Sequence, residues 1–99
     1  MGALTPEAKV KRKVTAVLKK HGCWYFFPAS NGYGRAGIPD IIAIVDGIFV
    51  GVECKADEKK RPTQLQVQCG EQIEAAGGKW FLVRGADELE ALEAYIRLR

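Results

Sequence analysis

A single histidine stands among the 99 residues of this chain, and that scarcity removes much of enzymology at once. Ser-His-Asp relays, HEXXH zinc sites and histidine-pair schemes all need imidazoles that are not there. Cysteine is sparse too: Cys23, Cys54 and Cys69 are odd in number and far apart, so they form neither a disulfide framework nor a zinc pattern. Unpaired thiols suit a reducing compartment, and a cytoplasmic setting is expected. No run approaches the ~18 apolar residues of a membrane span, and the first residues lack the apolar stretch of a signal peptide. No membrane role is expected. The length leaves room for one domain, residues 1–99, and no second module. There is no internal repeat, linker or low-complexity stretch.

What is present is unevenly charged. The formal net charge of +3 is modest. However, Lys9, Lys11, Arg12, Lys13, Lys19 and Lys20 crowd the first helical segment, and Lys59, Lys60 and Arg61 form a second basic cluster. Asp87, Glu88, Glu90 and Glu93 gather near the other end. Such asymmetry points to one basic surface facing a polyanion, with Lys11, Arg12, Lys13, Lys59, Lys60 and Arg61 as candidate DNA contacts. A merely solvated helix face is the alternative.

Periodicity predicts the order α-β-β-β-α-β-α. Thr5-Pro6-Glu7 combines a cap residue, a first-turn proline and an acid at the positive end of a helix. Val10, Val14, Val17 and Leu18 then share a stripe, which Gly22 ends. Trp24-Tyr25-Phe26-Phe27 reads as a strand stopped by Pro28. Asp40–Val45 and Ile48–Lys55 read as two arms of a hairpin through Asp46-Gly47. Thr63 caps a helix carrying Leu65, Cys69, Ile73 and Ala76, which Gly77-Gly78 closes. Trp80–Val83 is a short buried strand, and Asp87 begins a last helix with Leu89, Leu92 and Ile96 on one side. The alternation favours an α/β fold, a mixed sheet flanked by helices.

The hairpin carries the chemistry. Antiparallel pairing brings the start of its first strand beside the end of its second, so Asp40 lies next to Glu53, with Lys55 on the same face as Glu53. Charges rarely occupy strands that are apolar on both faces unless they are paired or bind a metal. Two carboxylates and an ammonium there make a site for a hard divalent cation. The bland alternative is a surface ion pair worth under about 1 kcal/mol.

Pro39-Asp40, Glu53 and Lys55 resemble the PD-(D/E)XK motif of restriction-endonuclease-like nucleases. Gly37-Ile38-Pro39-Asp40-Ile41, Val52-Glu53-Cys54-Lys55 and Arg61-Pro62-Thr63-Gln64-Leu65-Gln66 together resemble its VRR-NUC group, in which a Ser/Thr-x-x-Gln box opens the next helix. The resemblance runs from about Glu7 to Gly85, with Cys54 standing where a β-branched residue is usual. It implies a restriction-endonuclease-like sheet and a metal-dependent DNA endonuclease using Mg2+ or Mn2+ and no small-molecule cofactor. It implies Asp40, Glu53 and the Cys54 main-chain carbonyl as metal ligands, with Glu7 a further ligand directly or through water. An ordinary capping role for Glu7 is the alternative. Lys55 would orient or deprotonate the attacking water and stabilise charge, and Gln66 would hold Lys55 or that water. Small members of the group look like junction-resolving enzymes of phages and bacteria. A homodimer acting on a four-way junction is therefore expected, in a bacterial cell or phage-infected host. The candidate interfaces are the Trp24–Phe27 edge and the Leu89/Leu92/Ile96 helix. A flap or nicking endonuclease, a non-catalytic nucleic-acid-binding module acting on branched or duplex DNA, and an interaction subunit are the alternatives. Retention of Asp40, Glu53 and Lys55 together favours the enzyme.

One motif misleads. Gly32-Tyr33-Gly34-Arg35-Ala36-Gly37 spells G-x-G-x-x-G, but a dinucleotide fingerprint must open a helix whose N-terminus holds the pyrophosphate. Here the glycines run into Ile38-Pro39 and a strand. The segment is better read as a loop at the rim of the site, where Asn31, Tyr33 and Arg35 touch DNA phosphates or sugars, or as a plain connection.

Overall fold

The computed structural model describes residues 4–29 and 35–99. Asn31 and Tyr33 lie outside them. The elements follow the predicted order: α1 (Pro6–Lys20), β1 (Trp24–Phe26), β2 (Ile41–Val45), β3 (Ile48–Cys54), α2 (Gln64–Ala75), β4 (Lys79–Val83) and α3 (Ala86–Arg97). The four-stranded sheet runs β1-β2-β3-β4. The pairs β1/β2 and β2/β3 are antiparallel, and β3/β4 is parallel because α2 carries the chain across.

Local chemistry accounts for the boundaries. The Thr5 hydroxyl accepts from the Ala8 N–H at 3.1 Å, and Pro6 sits where a missing N–H costs nothing. Asp46 and Gly47 both have positive φ, 51° and 79°, which is the two-residue turn that matches strand twist. That turn sets the register Ile41 opposite Val52, which leaves Asp40 and Glu53 as the next residues along.

Alternation then assigns the faces. Ile41, Ala43 and Val45 of β2 join Val50, Val52 and Cys54 of β3 beneath α1 (Val14, Val17, Leu18) and α3 (Leu92, Ile96) in one buried cluster. Cys54 fills a core position there, a place for a small apolar group. The other face is covered by α2 only over β3 and β4. Ile42 on that face is buried, but towards the hairpin turn the face is exposed: Trp24, Ile44 and Phe49 form one row across β1, β2 and β3, with Phe26 beside Trp24, and all four are exposed, Trp24 by 64%.

Two expectations change here. Leu92 and Ile96 are buried under the chain's own sheet, so the α3 face is not an available dimer surface. Strand β4 is an edge strand in which only Val83 is fully buried, because among the described residues no strand pairs beyond it. Among the described residues, no helix is long and apolar enough to cross a membrane.

Candidate active site

The site sits at the end of the sheet where β2 begins and β3 ends. Pro39 is buried, and Gly37 before it has φ of 79°. A Cβ at Gly37 would collide with the Leu65 carbonyl and the Gln66 N, so only glycine lets this segment lie against the first turn of α2. Asp40 follows, with its Oδ2 accepting from the Cys54 N–H at 2.8 Å. That bond clamps the carboxylate across the strand pair and fixes its direction.

Glu53 is the buried charge, with 1% of its surface exposed. Its Oε2 accepts from Gln66 Nε2 at 2.8 Å and lies 3.6 Å from Lys55 Nζ. Its Oε1 is buried and has no hydrogen-bond donor among the described residues. A carboxylate oxygen left bare inside a protein costs several kcal/mol unless a proton or cation covers it. Burial first, then the Asp40 carboxylate beside it, pushes Glu53 up to about 8, against the partial relief from Lys55. With no divalent cation beside it, Glu53 therefore holds its proton to higher pH than an ordinary glutamate.

Gln66 has both ends of its amide committed. Its Oε1 accepts from the Thr63 N–H at 2.8 Å, its own N–H donates to Thr63 Oγ1 at 3.2 Å, and Nε2 goes to Glu53. The capping box of α2 is thus also an arm of the site. The expectation that Gln66 holds Lys55 or a water differs from this: its partner in the structure is the Glu53 carboxylate. Lys55, just past β3, is fixed through its N–H to the Val83 carbonyl at 3.1 Å.

Lys11 enters the site rather than lying on the open basic surface. Its Nζ is 3.5 Å from Glu7 Oε2 and 3.7 Å from Asp40 Oδ1. Glu7 is brought to the rim only through this lysine, and among the described residues no group of three or more His, Cys, Asp or Glu side chains is arranged around one ion. The fit for a cation is therefore two carboxylates plus main chain. Burial first, then Asp40, pushes the Cys54 thiol up to about 12, so its sulfur stays protonated and only its carbonyl is a donor. An oxygen-only set with few protein ligands suits Mg2+ or Mn2+, which retain several waters. The orphaned Glu53 Oε1 is the atom such an ion would satisfy.

The remaining candidates lie outside this cluster. Arg12, Lys13, Lys59, Lys60 and Arg61 are exposed. Arg35 donates to Gln72 Oε1, which is six residues along α2 from Gln66, or about 9 Å. Sequence reasoning missed Arg84. Its guanidinium binds both oxygens of Glu88 at 3.0 and 2.8 Å and donates to the Glu58 and Lys60 carbonyls, both at 3.2 Å. It staples the loop that carries Lys59–Arg61 to the start of α3. The Arg84/Glu88 spacing of four was its one visible signal.

Comparison with known proteins is consistent with this architecture. Residues 7–81 match the family model described as archaeal Holliday junction resolvase (Hjc). A solved structure titled "VRR_NUC domain" is 25% identical, with a TM-score of 0.81 over 93% of this chain and 98% of that one. A second, titled "VRR_NUC domain protein", is 21% identical, with a TM-score of 0.71 over 99% of this chain and 93% of that one, a likeness of fold. No curated protein matches.

Proposed function

The chain belongs to the archaeal Holliday junction resolvase family of PD-(D/E)XK-type nucleases, and from that premise we propose a metal-dependent endonuclease that resolves four-way DNA junctions as a homodimer. The observation that carries the metal dependence is the buried Glu53 held beside Asp40, two carboxylates crowded at one end of the sheet, with Glu53 Oε1 meeting no donor among the described residues. A binding module with no chemistry to perform would gain stability by replacing it.

Asp40, Glu53 and the Cys54 carbonyl would hold the ion, which when bound supplies charge neutralisation and an acidified water. The Cys54 N–H keeps the Asp40 carboxylate aimed, and Gln66 does the same for Glu53. Lys55, anchored on β4 through its backbone, presents its ammonium where charge builds on the phosphodiester, and also orients the attacking water. Arg12, Lys13 and the Lys59–Arg61 loop take the flanking phosphates, which position the substrate without reading bases.

A four-way junction has approximate two-fold symmetry and needs two opposed nicks, whereas one chain holds one Asp40-Glu53-Lys55 site. The bare sheet face of Trp24, Phe26, Ile44 and Phe49 supports pairing, since exposed apolar patches of this kind mark interaction surfaces. The test is a panel of labelled four-way junction, flap and plain duplex incubated with protein and Mg2+. Paired, symmetric nicks in the junction are expected. Preferential cutting of the flap would reassign the substrate, and binding without cleavage of any of them would refute the enzyme.

A further inference from the structure

Helical spacing divides the basic residues of α1 into two kinds. Positions 7, 11, 14 and 18 share one stripe, and Val14 and Leu18 on it are wholly buried. Lys11 therefore leans over the end of the sheet, while Arg12 and Lys13 face solvent. Lys11 instead stands between two acids, 3.5 Å from Glu7 Oε2 and 3.7 Å from Asp40 Oδ1. Partial burial alone would lower its proton affinity, but Asp40 and then Glu7 outweigh that and raise it, so it stays an ammonium.

We propose that Lys11 is a displaceable counter-ion: it neutralises Asp40 in the ion-free protein, yields that carboxylate to the divalent ion, and turns to the DNA phosphate. This rests on the metal-dependent reading of the Asp40–Glu53 pair. An ammonium and a divalent cation beside the same carboxylate repel each other, so Lys11 weakens ion binding while DNA is absent. A phosphodiester gives the ammonium another anion to pair with, which relieves the competition. DNA then raises ion affinity, and by linkage the ion raises DNA affinity by the same factor. Lys11 is a positioning residue in this scheme. It makes filling of the ion site depend on the presence of substrate.

The test is Mn2+ titration of the DNA-free protein, following the spin-resonance signal of the free ion. Lys11→Gln should bind Mn2+ about tenfold more tightly, which corresponds to ~1.4 kcal/mol. Lys11→Arg keeps the charge and should retain the original affinity. Lys13→Gln removes the same charge from the exposed side of the helix and should change affinity by no more than about twofold, as screening predicts. Junction affinity with and without Ca2+ gives a second readout: the Ca2+ enhancement should shrink in Lys11→Gln. Unchanged or weaker Mn2+ binding by Lys11→Gln, or equal tightening by Lys13→Gln, would overturn the counter-ion role and leave the metal site standing. No Mn2+ binding by either the unaltered protein or Lys11→Gln, with or without junction DNA, would overturn both.

Discussion

Replacing Glu53 by glutamine should make the metal-free protein more stable at alkaline pH while destroying its activity. The ordinary value for a glutamate is 4.5, and in the fold Glu53 is pushed up to about 8, by burial first and by Asp40 second. The folded state therefore holds a proton that the unfolded state has released. Stability is fully present below the ordinary value and declines as pH rises through about 8. At ~1.4 kcal/mol per pH unit, the completed loss is on the order of 5 kcal/mol. For a domain of this size that is on the order of 20–40 °C in melting temperature. The substituted amide can accept from Gln66 Nε2 through its oxygen and offer its NH2 towards Asp40, so it meets the same neighbours without a charge to desolvate. Melting curves in chelator from pH 5.5 to 9 should show the parent falling and Glu53→Gln nearly flat, the two crossing so that the variant is the more stable at pH 9. Parallel curves, or a variant less stable than the parent at pH 9, would refute the reasoning.

Further outcomes follow from the same geometry. Gln66→Ala removes half of a capping box and the Glu53 partner, so it should cost about 1–3 kcal/mol in denaturant unfolding and slow cleavage as well. Lys55→Ala should slow single-turnover cleavage with little change in junction affinity. Arg12→Ala with Lys13→Ala should instead weaken binding and reduce the salt slope by roughly 2. Trp24→Lys, at a position 64% exposed on the bare face, should leave the fold intact but halve the mass seen by light scattering; a parent protein already monomeric at micromolar concentration would remove the dimer.

Local signals in the chain were enough for the hairpin, the helix caps and the adjacency of Asp40 and Glu53, because each depends on residues close in sequence. Asp46-Gly47 fixes its own turn, and the turn fixes the register. Features that depend on how one element packs upon another were less legible. Gln66 reads as a capping residue from Thr63, but that its amide reaches Glu53 follows from α2 lying against Gly37. The apolar stripe of α3 is the same whether it covers its own sheet or a partner's, and only the packing of Leu92 and Ile96 decides. Lys11 read as one member of a basic run, although its spacing from Glu7, Val14 and Leu18 placed it on the inward stripe. Arg84 was hidden because two of its partners are carbonyls, which no side-chain pattern reveals.

The most direct test of the central claim is single-turnover cleavage of a labelled four-way junction by the protein and by Asp40→Ala, each in Mg2+ and in excess EDTA. Asp40 loses its hydrogen bond to the Cys54 N–H in the variant, but binding should persist because the phosphate contacts lie elsewhere. The account predicts cleavage by the unaltered protein in Mg2+ alone and none in the other three reactions, with junction binding retained by both proteins. Undiminished cleavage in EDTA, or by Asp40→Ala in Mg2+, would contradict it.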